Sequence, residues 1–553
     1  MEIIRRPESQ IAFPADFRSL KTLSNPSTSL TSLPCGVTPS PIDVPPPDAI
    51  GWDLQAHEWV LFPPSARATS THLIGPPGHG KTTLLTTMKL SDIKAGLGVI
   101  ALDAVGDWTR ELLWRIVTEC PSRVPDIVIL DPRDRPSFRL PIYRQVPRSD
   151  RHRFQRAVDQ SVAVYESLWG STGSRGTSWG PVLQLLATAI GHTFVEAGAG
   201  LEDVGPFLSS ADVRRRVLSR VTNPKVLQYW AEVYPARERE QQEYAASFLN
   251  KVLPFSLNET VANIVGGCEA TVDLRQLLDA QKIVIVPLRV GEIGAEAAAL
   301  IGSNIIGEIF TAVRSRSDTR EDLRRPCRLY IDECQLFQHP DLPKLEAEAR
   351  KFKLGIVKAH QHLEQLPEAL QASARMATNL FIGRQSGTHA QVLAGDFDNP
   401  PEPGEPEYKP VMLPSGKRPG LNEQLRAWYG TGRDAESYTQ YEERPGPLVE
   451  VSAMRDRRAN RIVTLPFYQF MGRFRQGDEI AESTFRALPS PTFGRQMPRW
   501  VKATIAEIRV RSRNTYARAS HAPAEPIMSS RSNGWSHERD ASTARWEELP
   551  VHP

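Results

Sequence analysis

Gly75-Pro76-Pro77-Gly78-His79-Gly80-Lys81-Thr82 is the stretch whose reading decides the fold. It follows a short apolar run ending at Leu73-Ile74 and precedes a helical run, Thr83 to Ile93. Strand, glycine-rich loop and helix in that order make the G-x-x-x-x-G-K-[ST] phosphate loop. Glycines let the backbone turn its N–H groups inward around an anion, and the helix N-terminus adds a favourable dipole. Gly75 to Thr83 then cradle the phosphates of ATP, Lys81 reaches the β- and γ-phosphates, and Thr82 ligates Mg²⁺. His79 fills a permissive position and is expected to point its side chain outward.

Working outward, residues 1–50 read as a flexible lead-in, with Ser, Thr and Pro crowded into 24–48. From 51 to 148 apolar runs alternate with a helical pattern: Gly98 to Asp103, then Trp108 to Val117, then Pro125 to Asp131. Such alternation predicts βαβ units and a parallel sheet. Between 149 and 251 the apolar residues recur at helical spacing (Val158, Val162, Leu168; Leu183, Leu186, Ile190) and strand-like runs vanish. This segment is expected to be an all-α insertion domain. Strand-like runs return at 282–288, 327–332, 354–359 and 378–382, so 252–475 is expected to complete the core, with a Pro-rich surface loop at 399–419. Residues 476–553 read as a C-terminal extension in which one helix, Arg499 to Arg513, precedes a disordered tail. The fold class expected is α/β: a P-loop NTPase core on a parallel sheet, interrupted by helices.

Bulk properties exclude little. A net charge of +3 over 553 residues selects no partner. Only 14 of the 67 basic residues are lysine, so 53 are arginine, a skew that is more often coding composition than a nucleic-acid signature. The five cysteines (Cys35, Cys120, Cys268, Cys327, Cys334) form no C-x-x-C and no metal-ligand spacing, and read as reduced thiols. No signal peptide opens the chain, and the longest apolar helix, Ala295 to Val313, carries Glu296, Asn304 and Glu308. A cytoplasmic protein without a membrane span is expected.

The second half of the site is Cys327-Arg328-Leu329-Tyr330-Ile331-Asp332-Glu333. An apolar strand that delivers two successive carboxylates at its end fits a Walker B element. Asp332 would hold Mg²⁺ and Glu333 would take the proton of the attacking water. Lys81 and Asp332 stand 251 residues apart. That spacing is too long for loader- and unfoldase-type AAA+ ATPases, and the chain has no Leu-Ser-Gly-Gly-Gln signature of ABC-type ATPases. A RecA-like core split by a helical domain fits.

Several further pieces resemble, in order, the coupling-protein ATPases of type IV secretion and conjugation, within the HerA/FtsK superfamily of DNA pumps. They are Gly98 to Asp107, Ser178-Trp179-Gly180-Pro181, Asn223-Pro224-Lys225-Val226, Val272 to Leu278, Tyr330 to Gln335, Glu346 to Phe352, Ala359 to Leu366 and Phe381 to Arg384. The likeness covers about residues 70–395. It implies a homo-oligomeric ring, a hexamer, that hydrolyses ATP to move DNA, with a relaxase, nuclease or secretion-channel protein as partner. It assigns Gln361 to sensing the γ-phosphate, with a loop amide that caps the next helix as the less favoured alternative. It assigns Arg384 to reaching a neighbouring subunit's nucleotide, with Arg375 as competitor and a plain ion pair as the alternative for either. Where the family has Asp-Pro-x-Gly-Asp, this chain has Asp103-Ala104-Val105-Gly106-Asp107, which favours a structural turn. The basic runs 148–156 and 455–461 are solvated faces or the lining of a DNA channel. A secretion-assembly ATPase acting on protein, a HerA-like helicase serving a nuclease, and a slow nucleotide-gated scaffold are the rival readings.

Overall fold

Val99-Ile100-Ala101-Leu102 shows why the sheet forms where it does. In an extended chain successive side chains point to opposite faces. Val99 and Ala101 enter one apolar cluster and Ile100 and Leu102 another, and all four are buried. A strand apolar on both faces needs cover on both, the situation of a parallel sheet flanked by helices. The computed structural model describes residues 45–170, 179–337, 339–397, 407–412, 439–444 and 450–517. Its strands are β1 (Ala49–Asp53), β2 (Trp59–Leu61), β3 (Thr71–Ile74), β4 (Gly98–Asp103), β5 (Ile127–Ile129), β6 (Ile283–Pro287) and β7 (Cys327–Ile331). They continue with β8 (Leu354–His360), β9 (Asn379–Ile382), β10 (Glu407–Met412), β11 (Thr439–Arg444), β12 (Gln469–Gln476) and β13 (Glu479–Ala487).

Eleven of these strands form one sheet, in the order β2-β1-β13-β12-β9-β3-β8-β7-β4-β6-β5. From β9 to β5 every pairing is parallel. The phosphate-loop strand β3 is therefore internal, between β9 and β8. The β12–β13 hairpin adds antiparallel to β9, and β1 adds to β13. Gly51 allows that last contact, since a Cβ there would lie 2.4 Å from the Arg486 carbonyl oxygen.

Helices cover the face that carries Ile100 and Leu102. The described residues between 151 and 265 are largely helical, the longest helices being Arg151–Trp169, Pro181–Ala197 and Glu238–Leu257. Asp150 caps the first, its carboxylate accepting from Arg153 N at 3.1 Å. Gly198, at φ 70°, ends the second. Tyr165, Leu186 and Phe194 share one apolar cluster with Leu102 and Val286, so these helices form a layer on the sheet. The helix Ala295–Ser315 lies in the same cluster, and its Asn304 Nδ2 donates to the Leu140 carbonyl at 2.6 Å. Among the described residues it is the one helix long and apolar enough to cross a membrane, and 78% of the span is buried inside the protein.

Two expectations change. The sheet runs past residue 475, through β13 to Ala487, and the following helix Arg499–Tyr516 packs Val501 and Ile508 against Ile127 and Ile129. Ser512 Oγ also accepts from Ile129 N at 3.0 Å. These antiparallel strands are polar on one side, and a search for wholly apolar runs passes over them. Within the expected Pro-rich loop, residues 407–412 pair with 439–444 as a two-stranded ribbon. Both strands of a ribbon are edges, so Pro410 can leave its missing donor outside the ladder. The rest of that loop, the lead-in to residue 44 and the tail beyond 517 lie outside the described residues.

If the C-terminal helix belongs to the core, Ile508→Ala, at a position 2% exposed, should lower unfolding stability by about 2–4 kcal/mol in a denaturant titration. Val510→Ala, at a position 46% exposed, should change it by no more than about 0.5 kcal/mol. Equal, small effects would remove this helix from the core.

Candidate nucleotide site

Parallel register builds the site. Ile74, the last residue of β3, stands opposite His360 of β8 and Ile382 of β9. Gly75 N donates to the His360 carbonyl at 3.2 Å, and Gly383 N donates to the Ile74 carbonyl at 2.7 Å. The residues that continue those strands, Gln361 and Arg384, therefore flank the start of the phosphate loop. Gly78 (φ 77°) and Gly80 (φ 91°) take the left-handed turns that bend the loop, and the helix Lys81–Lys94 begins directly after it. Thr82 and Thr83 thus occupy that helix's first turn.

Lys81 is buried and its Nζ donates to the carbonyls of Gly75 (2.7 Å) and Pro76 (3.3 Å). Burial lowers its pKa, against the pull of Glu333 and Asp332. Asp332 and Glu333 follow β7, which lies one strand beyond β8. Asp332 is buried, and its pKa is raised by desolvation and by the carboxylates of Glu333 and Asp103, against Lys89 and Lys81. Glu333 sits at φ 50°, a conformation that costs a non-glycine residue about 1–3 kcal/mol. Two amides hold its carboxylate: Gln335 Nε2 donates to Oε2 at 2.5 Å, and Gln361 Nε2 to Oε2 at 3.3 Å.

Gln361 does not cap the turn that follows it. Gln365 does so, its Oε1 accepting from the backbone N–H of Gln361 (3.2 Å) and His362 (3.4 Å). Arg384 is exposed beside its own chain's loop, close enough for its charge to act on His79. Arg375 is held elsewhere, its guanidinium pairing with Asp396 at 2.7 Å. Asp103 accepts from Gly106 N, Thr109 N and Thr109 Oγ1 at 2.6–3.0 Å, which makes it the turn-former expected. His79 departs from expectation. It is buried, 7% exposed, because its ring stacks on Phe467 at 4.4 Å between centroids. Phe467 and Tyr468 precede β12, and Tyr468 packs against Gly80 so tightly that a Cβ there would meet its ring at 2.5 Å.

In the basic runs, Arg458 pairs with Glu482 and Arg455 donates to the Gln391 carbonyl, while Arg148, Arg151 and Arg153 stay exposed.

Reading for motifs misses two participants. Gln335 is the closest neighbour of Glu333, and only its place two residues further along the Walker B run hinted at it. Lys89 is wholly buried under the site, with Nζ 3.3 Å from the Trp108 ring centroid. Burial lowers its pKa to about 8, against the charges of Asp332, Asp103 and Glu111. Two ammonium groups, Lys81 and Lys89, thus face three carboxylates, Asp103, Asp332 and Glu333. A divalent cation beside Thr82 and Asp332 fits that imbalance.

Fold and site together define a RecA-like P-loop α/β protein with a helical layer. Among solved structures the chain is similar to the bacterial conjugative coupling protein TrwBdeltaN70. Against its trigonal form in complex with sulphate the identity is 17%, covering 78% of this chain and 90% of that one, at a TM-score of 0.50. The unbound monoclinic form gives 15% identity over 80% and 91% at 0.49. VirB4 of Thermoanaerobacter pseudethanolicus gives 12% over 80% and 96% at 0.45. At such identities the likeness speaks to the fold, which is that of the family the motifs resemble. No protein-family model matches the chain. No curated protein matches it either.

The lowered Lys89 pKa carries a pH signature. From about pH 8 to 10.5 the unfolded chain holds a proton on this lysine that the folded chain has released, so stability rises over that window. The rise is on the order of 3 kcal/mol from a shift of that size. Measured by urea unfolding without nucleotide or Mg²⁺, wild type should gain on Lys89→Met by that amount between pH 8 and 10.5. A difference independent of pH would mean Lys89 titrates normally.

Proposed function

We propose that this protein is an ATPase that couples ATP hydrolysis to the movement of DNA, acting as a hexameric ring in conjugative transfer or type IV secretion. The observation that carries the ATPase reading is Glu333, buttressed by Gln335 and Gln361 and facing the Lys81 loop across one strand. The coupling-protein fold and the ordered coupling-protein motifs support the DNA-moving reading.

In this mechanism Gly75 to Thr83 receive the triphosphate, and Lys81 exchanges its loop carbonyls for β- and γ-phosphate oxygens. Thr82 and Asp332 would hold Mg²⁺, which would supply charge neutralisation at the phosphates. Glu333 takes the proton of the attacking water at a carboxylate oxygen, and Gln361 orients that water and senses the γ-phosphate. Arg384 stabilises charge developing on the transferring group of a neighbouring subunit's nucleotide, the role the resemblance implies. The exposed arginines at 148–153 and 455–461 supply phosphate contacts to DNA.

The test is steady-state ATP hydrolysis with and without single- and double-stranded DNA. Wild type should be stimulated by one strand form, and Lys81→Ala should lose both nucleotide binding and turnover. Glu333→Gln should still bind ATP while turnover falls roughly 10²–10⁴-fold. Hydrolysis by Glu333→Gln at the wild-type rate would remove Glu333 as the base. A flat rate with either DNA would direct the search to a protein substrate.

A further inference from the structure

Beneath the nucleotide loops lies a polar island on a sheet face that also carries buried Lys358, opposite His72. Ile74, Leu329, Ile331 and Ile356 belong to the apolar cluster there, but His72 on β3 and His360 on β8 share the face with them. Cys334, one residue past Glu333, approaches from the side. All three are buried: His72 and His360 are 0% exposed and Cys334 is 1%. One ring nitrogen of each histidine and the Cys334 sulfur lie within 4.8 Å of one another.

A core histidine pair needs only one hydrogen bond between its rings, and these two have it: His72 Nε2 and His360 Nδ1 are 2.7 Å apart. That bond leaves His72 Nδ1 and His360 Nε2 buried without a partner. An orphaned polar atom costs about 1–3 kcal/mol, so two such atoms beside a thiol are hard to account for as packing alone. Burial holds both imidazoles well below their usual pKa, which keeps them neutral and in the ligating form. Lys358, the nearest cation, is itself paired with the buried Glu346 carboxylate.

We infer that His72, His360 and Cys334 form a binding site for Zn²⁺ or a similar borderline-soft cation. Two imidazoles and one thiolate are a zinc ligand set, with bonds of about 2.0–2.1 Å to nitrogen and 2.3 Å to sulfur. Tetrahedral bonds of that length put ligand atoms about 3.3–3.6 Å apart, within reach of side-chain rotation from the present spacing. Binding forms a metal–sulfur bond and breaks the Cys334 S–H bond, with the proton leaving to water. The thiolate offsets one of the two metal charges, and the fourth position falls to a small ligand such as water. Such an ion would staple together β3, β8 and the turn after β7, the three segments that carry Gly75, Gln361 and Glu333. The inference does not depend on the ATPase reading.

Co²⁺ titration of the full-length, chelator-treated protein in excess Mg²⁺ tests it, because Mg²⁺ occupies oxygen sites and Co²⁺ reports its ligands in colour. The expected result is one tightly bound Co²⁺ per chain, with tetrahedral d–d bands and a thiolate-to-cobalt charge-transfer band. Cys334→Ser should abolish the charge-transfer band, His360→Gln should weaken binding at least tenfold, and Cys120→Ser should change neither. Zn²⁺ should displace the Co²⁺, and X-ray absorption of the zinc form should show one sulfur at about 2.3 Å. Wild-type spectra decide the matter even if a variant fails to fold. Wild type without a sulfur charge-transfer band at stoichiometric Co²⁺, or a band that survives in Cys334→Ser, overturns the site.

Discussion

The position of β3 between β8 and β9, in parallel register, is the constraint on which the rest of the structure depends. With Ile74 opposite both His360 and Ile382, the chain has no freedom in what surrounds the phosphate loop. The next residue of each neighbour must emerge beside it, and these are Gln361 and Gly383-Arg384. One strand further on, the register of β7 with β8 (Ile331 opposite Lys358) brings Asp332 and Glu333 to the same edge. Parallel strands present all their C-terminal ends on one side, which is why α/β sheets gather ligand sites there. The helical layer follows from the same constraint, since internal parallel strands must be covered on both faces.

Electrostatics behind the loop are arranged with similar economy. The helix that starts at Lys81 carries Lys89 and Asp92 into the core. Asp92 is paired with the wholly buried Arg67 at 3.0 Å and also accepts from the Tyr330 hydroxyl. Breaking one partner of such a pair leaves an uncompensated buried charge, worth about 3–5 kcal/mol. This network therefore fixes the loop helix against β7 on the face opposite the histidine pair. Lys89 sits over Trp108 and supplies positive charge to Asp332 and Asp103 from below. Its charge offsets part of the mutual repulsion of the carboxylates at the site.

What could be read in the sequence was what is written locally. The loop string, the wholly apolar parallel strands and the Asp332-Glu333 step each occupy fewer than about ten consecutive residues, and periodicity suffices to find them. The strands β12 and β13 are antiparallel and polar on one side, and so carry a weaker signal. Lys89 and the His72–His360 pair were not legible because their meaning arises between elements: Lys89 lies over Trp108 of the next helix, and the two histidines are 288 residues apart in the chain. His79 illustrates the same limit. A permissive loop position became a buried one because Phe467, far along the chain, packs over it.

Glu333 and Lys81 differ in how far the fold has already prepared them. The left-handed backbone at Glu333 is unfavourable in itself, and persists because the end of β7 and two amide donors over-determine it. The Glu333 carboxylate is therefore oriented by the fold's own contacts. Lys81, by contrast, is satisfied by two neutral carbonyls of its own loop. Trading them for phosphate oxygens replaces neutral acceptors with charged ones, roughly doubling the strength of each bond. Lys81 is thus held by contacts local to the loop, whereas the Glu333 carboxylate is set by the sheet register that brings β7 beside β8.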